Sequence, residues 1–427
     1  MYLNLFKRWL AGIWDGMFPR GFRRSSALPV LAATLFIVLP IVAWMLHRAG
    51  KFGTLKREIK GENQEQVVQG PMPGGMEPIV LKLGQSSGSN RPEFRSATIL
   101  PGLGMEVLQI VAYIPGKGEV ELLASPSVKQ IAEGNTPMRV GSNDRWGALE
   151  APWSGLLTGL PTPVGMTLRA LWRGRTVEVP ANEVGHASAD GGMLNSLAAD
   201  AVQVTPTLEG SSAIATFKAT DFAGHWTSRT DVAVTVTLDP RTIELTVVAK
   251  NVGDQPEPMG IGWHPRFVLP NHNRDGAQLR LPGGEQMEIA DRSKGLPSGK
   301  FIAPTTTLSR FQIRPTAIGL ESIDYTLVHL KPGLMDSAVS GEIRDPVTEF
   351  GLRMTAAGDS IRELRVASPG GSSYVSLGMQ TNLDDPLGKE WTGADSPSIP
   401  VLLPGQTAQW KIRLEIFAIS GTQSAAP

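Results

Sequence analysis

The stretch VAVTVTLDPRTIELTV, residues 232–247, decides the fold class of this chain. In both halves of the stretch, apolar residues alternate with small, polar or charged ones at a period of two residues. Between the halves, Asp239-Pro240-Arg241 has the composition of a turn. Because side chains in a β-strand point alternately to opposite faces, this period predicts an antiparallel hairpin with one buried face.

The same pattern recurs outside this hairpin. Trp410, Ile412, Leu414 and Ile416 alternate with charged residues, which predicts a half-buried strand near the C-terminus. Shorter strand-like runs lie between Gly, Pro and Asp residues at 353–355, 362–367 and 374–377. The 47 Gly and 33 Pro suit many short strands joined by tight turns, and no long helical period follows residue 80. The sequence therefore predicts an all-β fold, a sandwich of antiparallel sheets.

The composition argues against two classes of function. The 40 Lys and Arg residues balance the 40 Asp and Glu residues, so the formal net charge is zero. Binding of nucleic acid requires a positive field, and we therefore expect no nucleic-acid partner. The absence of cysteine excludes disulfide bonds and thiolate metal sites.

An uncharged apolar run, LPVLAATLFIVLPIVAWML, occupies residues 28–46. Its length matches the roughly 20 residues that cross a bilayer as a helix. Arg23-Arg24 before the run and His47-Arg48 after it mark two water-facing ends. We therefore predict a transmembrane helix over residues 27–47 that contacts the lipid bilayer through residues 28–46. A buried core helix and a cleaved signal peptide are the alternatives.

The segments around this run complete the predicted domain organisation. Residues 1–26 carry aromatic residues beside basic ones, which predicts an interfacial amphipathic segment or a docking surface for the membrane helices of a partner. Residues 48–77 are polar and rich in Gly and Pro, as in a flexible linker. Residues 78–420 form the predicted β-sandwich domain, and 421–427 are a tail.

Three segments of the large domain resemble motifs of the aldose 1-epimerase (galactose mutarotase) family, in that family's order. They are SATILPGLGMEVLQI at 96–110, GIGWHPRFVLP at 260–270 and VLLPGQTAQWKIRLEIF at 401–417. The resemblance implies a galactose mutarotase-like β-supersandwich with a sugar site in its concave face. It also implies that a histidine protonates the ring oxygen while a glutamate takes the proton of the anomeric hydroxyl. This chemistry requires no metal or organic cofactor.

The resemblance implies roles for three residues of this sequence, and residue type adds two aromatic ones. His264 matches the family's general acid, with Trp263 and Phe267 beside it as aromatic surfaces for the sugar; a core histidine is the alternative. His186 occupies the place of a second, sugar-binding histidine, or is an exposed loop residue. Asp324 falls where the family carries a sugar-binding aspartate, or it forms a turn.

Two departures from the family pattern affect the expected chemistry. Gly378 stands where the catalytic glutamate is expected, and Gly155-Leu156 stand where the family carries an asparagine–arginine pair. Glycine cannot accept a proton, so we expect the general-base contribution of about 10²–10⁴-fold to be lost unless another carboxylate replaces it. Three downstream residues either reach inward to replace the base or form a solvated turn: Asp384, Asp385 and Glu390.

The sequence therefore supports two functions. In the first, the chain is a membrane-anchored aldose 1-epimerase-like protein that binds a hexose or polysaccharide and keeps mutarotase activity. In the second, it is a catalytically inactive sugar-binding or scaffolding subunit of a membrane protein complex, which the departures at 378 and 155–156 favour. Both functions place a single-pass protein in the bacterial cytoplasmic (inner) membrane. The C-terminal domain lies in the periplasm, since long domains translocate largely regardless of charge.

Overall fold

The hairpin predicted over residues 232–247 is confirmed in the computed structural model. Strands over Thr230–Leu238 and Thr242–Asn251 pair antiparallel, with Val234 opposite Val247. Every second side chain of the first strand is buried, and the side chains between them are not. The two-residue period in the sequence thus corresponds to one face of a sheet packed against the core.

The structure describes residues 70–83, 90–134, 147–163, 166–182, 188–333, 338–357, 360–392 and 398–419. The first fourteen strands, numbered in chain order, are β1 (Ile79–Lys82), β2 (Glu93–Leu100), β3 (Glu106–Ile114), β4 (Gly118–Glu121), β5 (Leu149–Glu150), β6 (Leu156–Thr158), β7 (Leu160–Pro161), β8 (Thr167–Trp172), β9 (Arg175–Pro180), β10 (Ser188–Asp190), β11 (Ala201–Pro206), β12 (Ser211–Thr220), β13 (Thr230–Leu238) and β14 (Thr242–Asn251).

The remaining strands are β15 (Glu257–Pro258), β16 (Gly262–Trp263), β17 (Arg266–Val268), β18 (Gln278–Arg280), β19 (Gly283–Asp291), β20 (Leu296–Ile302), β21 (Thr316–Ala317), β22 (Ile323–Lys331), β23 (Ala338–Asp345), β24 (Phe350–Ala357), β25 (Glu363–Ser368), β26 (Tyr374–Gln380), β27 (Val401–Leu402) and β28 (Thr407–Ala418). Two short helices accompany the strands, α1 (Val128–Ala132) and α2 (Thr306–Ile313). Short 3₁₀ turns cover Pro73–Gly75, Pro101–Leu103, Leu194–Ser196 and Lys389–Trp391.

Two large sheets dominate the described residues. A nine-stranded sheet has the order β11-β12-β13-β14-β28-β24-β23-β18-β21. An eight-stranded sheet has the order β20-β19-β22-β25-β26-β16-β5, with β17 also paired to β26. Smaller sheets join β1 to β4, β7 to β9, β6 with β10, and β15 with β27. All of the strand pairings are antiparallel, as the sequence predicts for a sandwich.

The two large sheets pack face to face. Gly341 of β23 lies so close to β26 that a Cβ atom there would be 3.0 Å from Leu377 Cδ1. Leu364 of β25 contacts the same position, and all three residues belong to the interior. Inner-face residues of both sheets form one continuous hydrophobic cluster. Burial of this apolar surface is the main driving force for folding and fixes which face of each sheet remains outside.

The helices are short and end at clear sequence signals. The α1 helix begins after Ser127, whose hydroxyl accepts from the Gln130 N–H while the Gln130 side chain accepts from the Ser127 N–H, a capping box. The α2 helix begins after Thr305, whose side chain accepts from the Leu308 N–H. The expectation of no long helix after residue 80 is met within the described residues.

Within the part of the chain that the structure describes, no helix combines the length and apolar character needed to cross a membrane. The predicted interfacial segment at 1–26, the transmembrane helix at 27–47, most of the linker at 48–77 and the tail at 421–427 lie outside the described residues. These assignments stay predictions.

Candidate functional site

One outer face of the eight-stranded sheet carries polar residues where β22, β25 and β26 lie side by side. Thr326 pairs with Arg365, which pairs in turn with Gly378. Because side chains of paired residues lie on the same face of a sheet, these three residues share one surface. Leu364 and Leu377, which alternate with them, face the core. We call the surface that carries Thr326, Arg365 and Gly378 the site face.

His264 lies on the site face, directly over Gly378. It follows β16 and precedes β17, and both strands pair with β26. A Cβ atom at Gly378 would collide with the imidazole ring, first with Nδ1. The ring therefore occupies the volume that a side chain at position 378 would need. Only 14% of the His264 side chain is exposed.

Hydrogen bonds hold the other ring nitrogen of His264. Nε2 lies 2.9 Å from Oε1 of Gln380 and 3.1 Å from Oγ of Ser154. The amide nitrogen of Gln380 donates to the Asn382 carbonyl at 3.1 Å, so the amide oxygen faces the histidine. An amide oxygen only accepts, which assigns the hydrogen to Nε2. The Nε2–H group of His264 is therefore engaged within the protein.

Ser154 connects His264 to a buried carboxylate. Its hydroxyl donates to Oε2 of Glu150 at 2.7 Å, and the Gly155 N–H donates to the same oxygen at 2.8 Å. Asn382 accepts from the Ser154 N–H at 3.0 Å and donates to the Ser154 carbonyl at 2.8 Å. No polar side-chain atom of this group is buried without a partner. We call the following set the histidine network: Glu150, Ser154, His264, Gln380 and Asn382.

The structure explains the departure at Gly155-Leu156. Gly155 has φ +72°, in the left-handed region that favours glycine, and a Cβ atom there would collide with Oδ1 of Asp384. The side chain of Leu156 is buried, and its N–H faces Asp384 Oδ1 at 3.4 Å. An asparagine at position 155 would therefore collide with the Asp384 carboxylate, and position 156 carries a buried aliphatic side chain instead of an arginine.

A cavity of about 570 Å³ opens on the site face. Residues of the β19–β20 hairpin and of the start of α2 form its wall, and residues of β22 and β25 form its floor. Small-molecule sites typically enclose about 300–1,000 Å³, so a single hexose fits this volume. Five charged residues line the cavity: Glu288, Arg292, Asp324, Arg365 and Asp384.

Arg365 lies between two carboxylates in the cavity. Its Nε atom is 3.6 Å from Oδ1 of Asp324, and its Nη1 atom is 3.6 Å from Oδ2 of Asp384. The Asp324 side chain is 59% exposed, whereas only 15% of the Arg365 side chain and 2% of the Asp384 side chain are exposed. Both separations allow ion pairing but exceed a normal hydrogen bond. The buried Nε of Arg365 has no hydrogen-bond partner among the described residues.

Burial and charge shift the pKa values around Arg365. Burial raises the pKa of Asp384, although Arg365 and His264 act in the opposite direction. Burial also raises the pKa of Glu363 well above its ordinary value, helped by the adjacent Asp384. Burial alone would lower the pKa of Arg365. The nearby carboxylates, led by Asp384 and Asp324, outweigh this effect, so the pKa lies above its ordinary value. The guanidinium is thus always charged, and the carboxyl groups that surround it compete for protons.

The interpretation of Asp384-Asp385 as a solvated turn is wrong, because both residues are 2% exposed. Asp385 accepts from the Thr158 N–H at 2.7 Å and from the Thr158 hydroxyl at 2.5 Å. Trp391 Nε1 donates to the carbonyls of both aspartates. Burial raises the pKa of Glu390 to about 7, and the nearby carboxylate of Asp385 acts in the same direction. The turn-like composition predicted the wrong environment because the sequence cannot show that Trp391 covers these residues.

The structure brings only some of the predicted site residues together. Asp324 lines the cavity, and His264 lies on the same face of the sheet. Trp263 and Phe267 are 1% and 0% exposed and belong to the hydrophobic core, so neither ring reaches the cavity. The Trp263 indole donates to the Gly147 carbonyl at 3.0 Å. His186 lies outside the described residues.

Arg365 and the partners of His264 were not found from the sequence. Arg365 lies between Leu364 and Val366, in a run where apolar and charged residues alternate. This pattern predicts a strand but does not show which face of the sheet carries Arg365. Ser154 and Gln380 are far from His264 in the chain, so only the fold shows their contact. The charged residue within an apolar run was the one available signal for Arg365.

Comparisons with known proteins agree with this architecture. Residues 168–358 match the family model for aldose 1-epimerase. A search of curated proteins gives no match. Among solved structures, a galactose mutarotase-like protein from Clostridium acetobutylicum is similar, with a TM-score of 0.60 and 15% identity. The similarity covers 79% of this chain and 98% of that one.

Two further structures show the same likeness. The GalM/aldose epimerase homologue from Caenorhabditis elegans has a TM-score of 0.57 at 13% identity, covering 80% of this chain and 99% of its own. A putative aldose 1-epimerase from Escherichia coli K12 has a TM-score of 0.56 at 13% identity, with the same coverage of both chains. The chain therefore has the fold of galactose mutarotase-like proteins. The match to the aldose 1-epimerase family model is confined to the central residues 168–358.

Proposed function

We propose that this domain binds a carbohydrate in the cavity of the site face and has little or no mutarotase activity. The observation that carries the proposal is the position of His264, whose ring covers the place where a side chain at position 378 would project. The ring thus takes the volume of the base that the resemblance places there. Its Nε2–H is bonded to Gln380 and Ser154, so the proton of the expected general acid is not presented to a ligand.

The cavity beside these residues supports retention of binding. Its size suits a hexose, and Asp324 lines it at the position where the resemblance places a sugar-binding aspartate. Carboxylate and guanidinium groups together accept from and donate to sugar hydroxyls. Binding without turnover needs only these contacts, whereas anomer interconversion needs an acid and a base on opposite sides of the ring.

The experiment measures binding and catalysis on the same preparation. D-galactose and D-glucose are titrated into residues 70–427 and into the full chain by calorimetry, and mutarotation of freshly dissolved α-D-glucose is followed by polarimetry. We expect binding to at least one sugar and a mutarotation rate equal to that of buffer. A rate that rises with protein and disappears in His264→Ala would overturn the loss of activity.

A displaced base is the second candidate, and Asp384 favours it. This carboxylate is buried, lines the cavity, and interacts electrostatically with His264. Burial raises its pKa, a shift that is common among catalytic carboxyl groups. If polarimetry shows turnover, Asp384→Asn separates the two cases: loss of turnover with retained sugar binding would assign the base to Asp384.

We further propose that the domain is tethered to the bacterial inner membrane through residues 28–46 and faces the periplasm, beside a membrane protein partner of residues 1–26. The apolar run and its charged flanks support this placement. Membrane fractionation after alkaline washing tests the tether, and protease digestion of spheroplasts tests the side. Release by alkali, or protection of the domain in spheroplasts, would contradict it.

A further inference from the structure

Arg365 stands on the floor of the cavity, at a position that no family motif marks. We propose that Arg365 is the guanidinium that hydrogen-bonds adjacent hydroxyls of the sugar, with Asp324 and Asp384 as acceptors on either side. This inference rests on the proposed carbohydrate-binding function and adds a specific binding residue to it. It also accounts for the departure at Leu156, where the resemblance expects an arginine and the structure has a buried aliphatic side chain.

The strand register aims Arg365 at the cavity. Arg365 pairs with Thr326 on one side and with Gly378 on the other, so its side chain projects from the site face between β22 and β26. Its neighbours in the strand, Leu364 and Val366, are fully buried in the core. Gly378, on the other side, has no side chain, and the ring of His264 occupies the space above it.

Unmet hydrogen bonding is the observation that points to a ligand. Buried polar groups in folded proteins are almost always hydrogen-bonded, and an unsatisfied guanidinium N–H is costly. Nε of Arg365 is buried without such a partner, and both of its ion pairs are 3.6 Å long. A hydroxyl placed beside them can accept from the guanidinium and donate to a carboxylate. Two neighbouring hydroxyls of one sugar satisfy Asp324 and Asp384 together.

The charges around Arg365 also define the chemistry of the ligand. The carboxylates of Asp384 and Asp324 are its nearest partners, and Glu363 and Asp190 lie near enough to influence it. In the lining of the cavity, the acidic residues Glu288, Asp324 and Asp384 outnumber the basic residues Arg292 and Arg365. An anionic ligand competes with the carboxylates for Arg365 and is repelled by them. The site therefore favours uncharged hydroxyls over a phosphate or a carboxylate group.

The test compares two variants of Arg365 with a matched control. Arg365→Gln removes the charge, and Arg365→Lys keeps it but loses the planar fork that binds two oxygens. Arg413→Gln on β28, 51% exposed in the nine-stranded sheet, is the control. D-galactose and D-glucose are titrated into the full chain of each variant by calorimetry, and thermal unfolding reports whether each variant is folded. D-galacturonate and D-galactose 6-phosphate are titrated into the wild type.

We expect Arg365→Lys and Arg365→Gln to weaken sugar binding about tenfold or more, with no change in Arg413→Gln. We also expect weaker binding of the two anionic sugars than of D-galactose. If Arg365→Gln does not fold, Arg365→Lys decides the result. Unchanged affinity in a folded Arg365 variant, or preference for an anionic sugar, would overturn the role of Arg365 and leave the proposed function intact. No binding of any sugar by the wild type would overturn the proposed function itself.

Discussion

The site face contains two polar groups that differ in how their hydrogen bonds are satisfied. In the histidine network, each side chain is hydrogen-bonded to a side chain or backbone group of another member, and the ring of His264 fills the space above Gly378. Around Arg365, ion pairs are 3.6 Å long and one buried N–H has no partner. Both groups contain charged residues and lie on the eight-stranded sheet. A satisfied network stabilises the fold, whereas an unsatisfied group that lines a cavity is available to a ligand.

This difference changes where function is expected on an aldose 1-epimerase-like fold. The resemblance directs attention to the strand that carries Gly378, but that position is closed by His264. The open, charged part lies one and two strands away, on β25 and β22. Fold alone does not assign function, and here the side chains on the shared scaffold favour a different use of the same sheet.

The largest expected effect tests whether the histidine network is closed. Gly378→Ala forces a Cβ atom into the partly buried ring of His264, and we expect the free energy of unfolding to fall by about 3 kcal/mol. In a His264→Ala background the same substitution has free space, so its cost should nearly vanish. Urea denaturation of the two single variants and the double variant measures the coupling.

Gly283→Ala is the control for this prediction. A Cβ atom at Gly283 meets its nearest neighbour at 3.6 Å, an ordinary contact, and we expect a change of less than about 1 kcal/mol. Equal costs of Gly378→Ala in both backgrounds would show that the ring of His264 does not fill the position. In that case the proposal that the ring of His264 takes the volume of a base at position 378 would fail.

The next prediction concerns Glu390, whose expected effect on stability is smaller and depends on pH. Burial raises the pKa of Glu390 from its ordinary value of 4.5 to about 7. Between pH 4.5 and 7 the folded protein keeps a proton that the unfolded chain releases, so stability falls as pH rises through this window. Glu390→Gln has nearly the same size and cannot ionise. We expect the stability of the variant relative to wild type to rise by about 2 kcal/mol from pH 4.5 to 7.5.

Urea denaturation at four pH values between 4.5 and 7.5 measures this change. The exposed residue Glu119 provides the control variant Glu119→Gln. The same drift in both variants would attribute the effect to net charge. A constant difference between Glu390→Gln and wild type would show that the glutamate is not held in a buried, protonated pair with Asp385.

The sequence predicted the scaffold more reliably than the site. The two-residue period at 232–247 and in the strand at 407–418 identified the sheet. Burial of one face of a sheet makes apolar and polar residues alternate within a short stretch of sequence. The site depends on contacts such as Ser154 with His264, which are 110 residues apart. Trp263 and Phe267 were expected at the sugar because of their residue type, but the strand register turns both into the core. Type alone does not give the direction of a side chain.

The substitution with the smallest expected effect on stability best distinguishes the histidine network from the residues around Arg365. Asp324 is mostly exposed and 3.6 Å from Arg365, so Asp324→Asn should change the free energy of unfolding by less than about 1 kcal/mol. Loss of a charged acceptor should still weaken binding of D-galactose about tenfold. Ser154→Ala, in the histidine network, should do the reverse, costing about 1–3 kcal/mol of stability because Glu150 loses a buried donor, with affinity unchanged. Calorimetry and urea denaturation of both variants test this exchange of roles. If Ser154→Ala weakens binding as much as Asp324→Asn, the ligand contacts the histidine network, and the division of the site face into a closed and an open part is wrong.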